Sequence, residues 1–188
     1  MHGIWEFSKS RMREFVKAKL QGESTGHDYD HACRVFTNAQ LIGKGLDIDW
    51  EIVEAACFCH DLIDRKVNAC SRDALIYKLS QRIADEKVSS VMFIIENMSF
   101  SKAYKGDKTL EMQVVQDADR LEALGAVGIA RCFATSSRMG RTLSDSMEHF
   151  HDKLYKLKDL MNLKVSKELA VEREAYMKEF ERRFLNSK

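Results

Sequence analysis

Two histidines and two aspartates interrupt the apolar stripes of segments that read as helices. His31 shares a helical face with Val35, Ala39 and Ile42. His60 shares one with Ile52, Val53, Ala56 and Cys57, and Asp61 follows it directly. Asp117 aligns with Val114, Ala118, Leu121 and Leu124. A carboxylate buried in such a stripe is costly unless it is paired or bound to a metal. One divalent cation satisfies all four groups: His31, His60, Asp61 and Asp117 form a mixed nitrogen and oxygen donor set whose charge offsets that of a 2+ ion. Neighbouring residues point about 100° apart around a helix. An ion shared by His60 and Asp61 must therefore sit beside the helix, between the two directions. Four protein ligands leave room on an octahedral ion for a water and a substrate oxygen. Asp119 lies about 200° round the helix from Asp117, which argues against its being a ligand as well.

The elements that carry these residues are helical throughout. Apolar periodicity predicts helices over Ile4–Leu20, over Asp28–Ile42 with Gly43 and Gly45 ending it, and over a third segment capped by Asp49. Arg65–Cys70 reads as a loop. Ser71 opens a helix through Ile83, and another ends near Asn97. Ser99–Asp107 is loop-like. Thr109 opens a long stretch to about Phe133, bent near Gly125 and Gly128, and two further helices cover about Leu143–Leu160 and Ser166–Leu185. The ligands thus lie on at least three separate helices, so packing must set their geometry.

Composition agrees with this reading. The 188 residues contain no proline and only 9 glycines, which leaves few helix breakers. A length of this kind usually means one domain with a substantial core. The 30 basic and 29 acidic residues give a net charge of +1, without the basic excess of a nucleic-acid binder. No stretch has the roughly 18 apolar residues of a membrane span, and no signal-peptide core stands at the N-terminus. Five cysteines, an odd number lying in apolar helical patterns, fit reduced core residues of a cytoplasmic protein.

The pattern His31, His60-Asp61, Asp117 resembles the H…HD…D signature of the HD-domain superfamily of metal-dependent phosphohydrolases. The segments Gly26–His31, His60–Lys66 and Gln116–Leu121 resemble a bacterial subfamily of stand-alone HD proteins, and Ala123–Arg131 and His149–Met161 extend the likeness. The resemblance implies an all-α, single-domain fold over 1–188, with a core of about 20–135 and C-terminal helices of about 143–185 packing on it. Leu163 and Val165 stand where relatives usually have a threonine, which touches the last helix's cap or the pocket edge. No histidine lies between His60 and Asp117, where two-metal relatives usually have more, so one divalent ion is expected: Mn, Ni, Fe, Mg or Zn.

At least one member of the subfamily is a nucleoside triphosphate pyrophosphohydrolase. The expected activity is therefore hydrolysis of a nucleoside or deoxynucleoside triphosphate to monophosphate and pyrophosphate. A 5′-nucleotidase, a phosphodiesterase and a non-catalytic metal-stabilised sensor are the alternatives. Asp64, four residues after His60, shares its face if the helix continues, and is the candidate proton carrier. His27, four before His31, is placed to orient a water or touch a phosphate. Lys66 is the first candidate cation for the substrate and Lys153 the second. Arg34 and Arg120 read as partners of nearby aspartates. The partner expected is a small phosphorylated molecule, with no nucleic acid and no membrane; self-association is left open.

Overall fold

The computed structural model describes residues 12–23, 26–65, 67–99 and 104–187. Lys66 and the start of the first predicted helix lie outside them. The described residues are helical, with no strand among them, as the all-α expectation has it. Helix α1 covers 12–19, α2 Tyr29–Ile42 and α3 Trp50–Cys59. Then come α4 Arg72–Ser80, α5 Asp85–Asn97 and α6 Leu110–Glu122. Helices α7 Gly125–Arg138, α8 Leu143–Asp152 and α9 Lys164–Leu185 complete the chain. No described helix is long and apolar enough to cross a membrane.

Short polar side chains start these helices as the sequence suggests. Asp28 accepts from the backbone N–H of His31, Asp49 from Glu51 and Ile52, Ser71 from Ala74 and Thr109 from Met112. Helix α2 packs against α3 and α6, and α3 against α5 and α6. Val35, Ala39, Val53, Ala56, Val91, Val114 and Ala118 are buried between them. Small and β-branched residues at these positions let the three site-bearing helices approach closely. Arg13 fastens α1 to this unit: its guanidinium lies over the Phe58 and Phe36 rings and donates to buried Glu54 at 2.7 Å.

Two boundaries differ from the sequence expectation. The long stretch from Thr109 is two helices, because Gly125 takes a left-handed φ of +76° that breaks the first and starts the second. A Cβ on Gly128 would overlap the Ala123 carbonyl, so only glycine permits this tight corner. The expected helix Leu143–Leu160 stops at Asp152, and two 3₁₀ turns follow at Leu154–Lys156 and Lys158–Leu160. The break is at Lys153, whose backbone leaves the helical region. The condition set for Asp64, that the helix continue past His60, is not met: α3 ends at Cys59, and His60 to Arg65 form turns.

Helices α7 and α9 form a second layer, with α9 packed on α6 and α7. Arg173 of α9 donates to the Leu121 carbonyl at the end of α6, and to Asn38 of α2 at 2.8 Å; Asn38 in turn donates to the Ala118 carbonyl at 3.1 Å. This ladder locks α2, α6 and α9 together. The N-cap residue of α9, Leu163, offers no side-chain cap. The N–H of Leu163, with that of Asn162 before it, donates to a carboxylate from another helix.

Candidate metal centre and adjoining cavity

His31 sits in the first turn of α2, His60 caps the end of α3, Asp61 opens the turn after it, and Asp119 lies on α6. The packing of those three helices brings the four side chains to one point. Nε2 of His31 and Nε2 of His60 are 3.1 Å apart. Asp61 Oδ2 lies 3.2 Å from the first and 3.1 Å from the second. Asp119 Oδ1 lies 3.6 Å and 3.8 Å from the same two nitrogens. Donors around one ion with bonds of about 2.1 Å are separated by roughly 3.0–3.4 Å. The spacings among His31, His60 and Asp61 fall in that range, those to Asp119 are a few tenths of an ångström longer, and all four residues supply ligand-type atoms. The donor set therefore fits a divalent metal.

The surroundings support the same fit. Nδ1 of His60 donates to the Cys57 carbonyl at 2.8 Å, which leaves Nε2 as the converging nitrogen. Burial pulls the His60 imidazole toward neutrality, but the Asp61 charge and hydrogen bond, with Asp119, outweigh it and raise its pKa to about 9. Burial lowers that of His31, and the neighbouring His60 adds to the effect. Burial pushes the Asp61 carboxyl up, yet His60 and hydrogen bonds from the three histidines hold it well below the usual range. The pocket of oxygens and nitrogens thus draws in positive charge.

Asp117 takes no part in this cluster, which corrects the sequence expectation for the fourth ligand. It is fully buried. Its carboxylate accepts from the N–H of Asn162 at 2.9 and 3.0 Å, from that of Leu163 at 2.9 Å and from Asn162 Nδ2 at 2.8 Å. It fixes the entry to α9 by holding the N-cap residue Leu163 and Asn162 before it. The angular argument against both aspartates facing one point holds; the face toward the histidines belongs to Asp119, with 38% of its side chain exposed.

The other expected site residues divide. His27 joins the cluster, its Nδ1 2.8 Å from Asp61 Oδ2. Asp64 lies in the turns that follow α3, where its carbonyl accepts from the N–H groups of Val67 and Asn68. Among the described residues Asp64 belongs to neither of the possible ligand groups. Arg34 pairs with Glu122 at 2.8 Å, not with an aspartate, and Arg120 donates to the Leu160 carbonyl and lies 3.8 Å from Asp117.

A cavity of about 270 Å³ adjoins the cluster, with His27 and Asp119 in its wall. Arg120, Arg131, Arg141, His149 and Lys153 line it, as do Thr135 and Ser136; Met98, Ala123, Leu154 and Leu157 supply an apolar side. Lys153 is thus one of the cations that line this cavity. Arg131, Thr135 and Met139 lie on one face of α7, and eight residues from Arg131 to the helix end at Met139 run about 12 Å. Sequence reasoning did not single out Arg131 or Arg141: Arg131 shares a face of α7 with Thr135, and Arg141 lies in the link between α7 and α8, where no periodicity points to it.

Comparison with known proteins identifies the family. The HD domain model matches residues 28–124. The chain is 39% identical to the uncharacterized protein YpgQ of Bacillus subtilis over 183 residues, covering 92% of this chain and 89% of that one. Its fold is similar to the crystal structure of B. subtilis YpgQ in complex with ADP, with a TM-score of 0.87, 35% identity and coverage of 98% and 97%. It is also similar to an HD-superfamily hydrolase from Bacillus thuringiensis, with a TM-score of 0.77, 35% identity and 97% coverage of both chains. The chain belongs to the HD-domain family of metal-dependent phosphohydrolases.

Proposed function

We propose that this protein hydrolyses a nucleoside or deoxynucleoside triphosphate to the monophosphate and pyrophosphate, with one divalent ion held by His31, His60, Asp61 and Asp119. The observation that carries the reading is the shared wall: Asp119 and His27 belong both to the ligand cluster and to a cavity lined by five basic side chains. A polyanion in that cavity meets cations along its length while one phosphorus rests at the cluster. The ADP complex of the related YpgQ supports a nucleotide as the ligand class.

A divalent ion bound there supplies Lewis acidity to a phosphoryl oxygen and lowers the pKa of water. Arg131 and Lys153 offset the charge of the phosphates, and Arg120 and Arg141 extend that field. His27 is held by its Nδ1 contact to Asp61, so its Nε2 is the atom that takes or gives a proton. The apolar side made by Met98, Leu154 and Leu157 excludes water from one flank of the bound molecule.

The test is a nucleotide panel with Mn²⁺, Mg²⁺, Ni²⁺, Fe²⁺ and Zn²⁺ supplied separately. Release of pyrophosphate from triphosphates, lost on chelation and in Asp119→Ala, is expected. Inorganic phosphate from monophosphates without pyrophosphate would make the protein a 5′-nucleotidase and overturn the substrate reading.

A further inference from the structure

We propose that Glu122 is a positioning residue that fixes the ring and tautomer of His31 for metal binding. Glu122 lies on α6 three residues after Asp119 and is 2% exposed. Its Oε1 accepts from Arg34 Nε at 2.8 Å, and its Oε2 contacts Arg131 Nη1, so two guanidiniums offset its buried charge. Oε2 also lies 3.2 Å from Nδ1 of His31, itself 1% exposed. Neither that nitrogen nor that oxygen has an aligned hydrogen-bond partner among the described residues, so the two are paired by distance and charge, not by an aligned bond.

The opposite nitrogen, Nε2, is the one that converges with His60 and Asp61. A neutral imidazole carries a single N–H. A carboxylate at Nδ1 places the proton there and keeps the Nε2 lone pair for an ion. The Cys57 carbonyl does this for His60 at 2.8 Å. For His31 a full negative charge does it, which also raises the basicity of the ligand nitrogen. Arg131 joins Glu122 and lines the cavity, so the same carboxylate holds a cavity cation in place.

This inference rests on the metal reading above, and one experiment separates the two. Mn²⁺ is titrated into wild type, Glu122→Gln and Glu122→Asp, and long-range ¹H–¹⁵N histidine spectra are taken of the Zn²⁺-loaded wild type. Metal affinity is expected to fall about 10–100-fold in both variants, with the His31 proton on Nδ1 in the wild-type spectrum. If Gln at 122 prevents folding, the Asp variant, which keeps the charge between the two arginines, decides; the wild-type spectrum decides without any variant. A merely structural Glu122 lowers the melting temperature but leaves affinity and tautomer unmoved. Unchanged affinity in a folded variant, or a His31 proton on Nε2, overturns the proposal alone. A wild type that binds no divalent ion removes the metal reading and this inference with it.

Discussion

Exchanging the roles of two aspartates on one helix has opposite consequences for stability and for metal binding. Asp117→Ala removes a fully buried carboxylate that accepts from two backbone N–H groups and one side-chain amide. Each N–H left unpaired costs about 1–3 kcal/mol, and charge-assisted bonds contribute about 1.5–3 kcal/mol. Because the donors are shared and partly reach water, the loss totals about 3–5 kcal/mol. In a chain of this length 1 kcal/mol moves the melting temperature by roughly 2–4 °C, so a fall of roughly 6–20 °C follows. Asp119 is 38% exposed, so Asp119→Ala changes metal-free stability by only about 0.5 kcal/mol or less. It nevertheless removes one of the four converging donors. Thermal melts in a chelator, paired with Mn²⁺ titration of both variants, read the two effects separately. Guanidinium unfolding at low temperature serves if the Asp117 variant melts too early. An Asp119 variant that melts far below wild type but binds Mn²⁺ normally would refute the reasoning, as would an Asp117 variant that keeps its stability and loses the ion.

Other consequences follow from the same contacts. Arg173→Met breaks the bonds to Leu121 and Asn38, and equilibrium unfolding should show a loss of about 2–4 kcal/mol with metal stoichiometry unchanged. Gly128→Ala forces the α6–α7 corner apart and should cost about 1–3 kcal/mol in denaturant titration; a neutral result would mean the corner is loosely packed. Burial pushes the Glu174 carboxyl up, but Lys158 and Lys178 outweigh it and hold it below its ordinary value of 4.5. A depressed carboxyl stabilises the fold fully above its unfolded-state pKa, and that contribution is lost as pH falls through the lower folded value. The stability gap between wild type and Glu174→Gln should be widest near neutral pH and close in acid; a gap that widens in acid contradicts the assignment. Lys153→Met should raise KM for triphosphates several-fold at low salt, with a smaller difference at high salt, in steady-state assays.

How much of this was legible depended on range. Asp49, Ser71 and Thr109 act on N–H groups two or three residues away, so their capping roles could be read from the chain. The convergence of His31, His60 and Asp61 was legible because two imidazoles in apolar stripes and a contiguous His-Asp pair together ask for one shared explanation. The place of Asp117 was misread for a physical reason. A search for carboxylates within apolar stripes selects the most buried one, and Asp117 is most buried because it holds the entry to a helix 45 residues away. The carboxylate that joins the histidines, Asp119, instead borders open space. The end of α3 was hidden because Leu62 and Ile63 continue the apolar pattern without a glycine or proline to stop it. Glu122 was out of reach: its partners Arg34 and Arg131 stand on two other helices, and only packing joins them.

Anomalous scattering from a crystal of the protein grown with Mn²⁺ tests the central claim most directly. A single ion is expected between α2, α3 and α6, with bonds of about 2.0–2.3 Å to Nε2 of His31, Nε2 of His60, Asp61 and Asp119. Asp117 should remain on the N–H groups of Asn162 and Leu163. An ion ligated by Asp117, or no ion at the crossing of those three helices, would contradict the account.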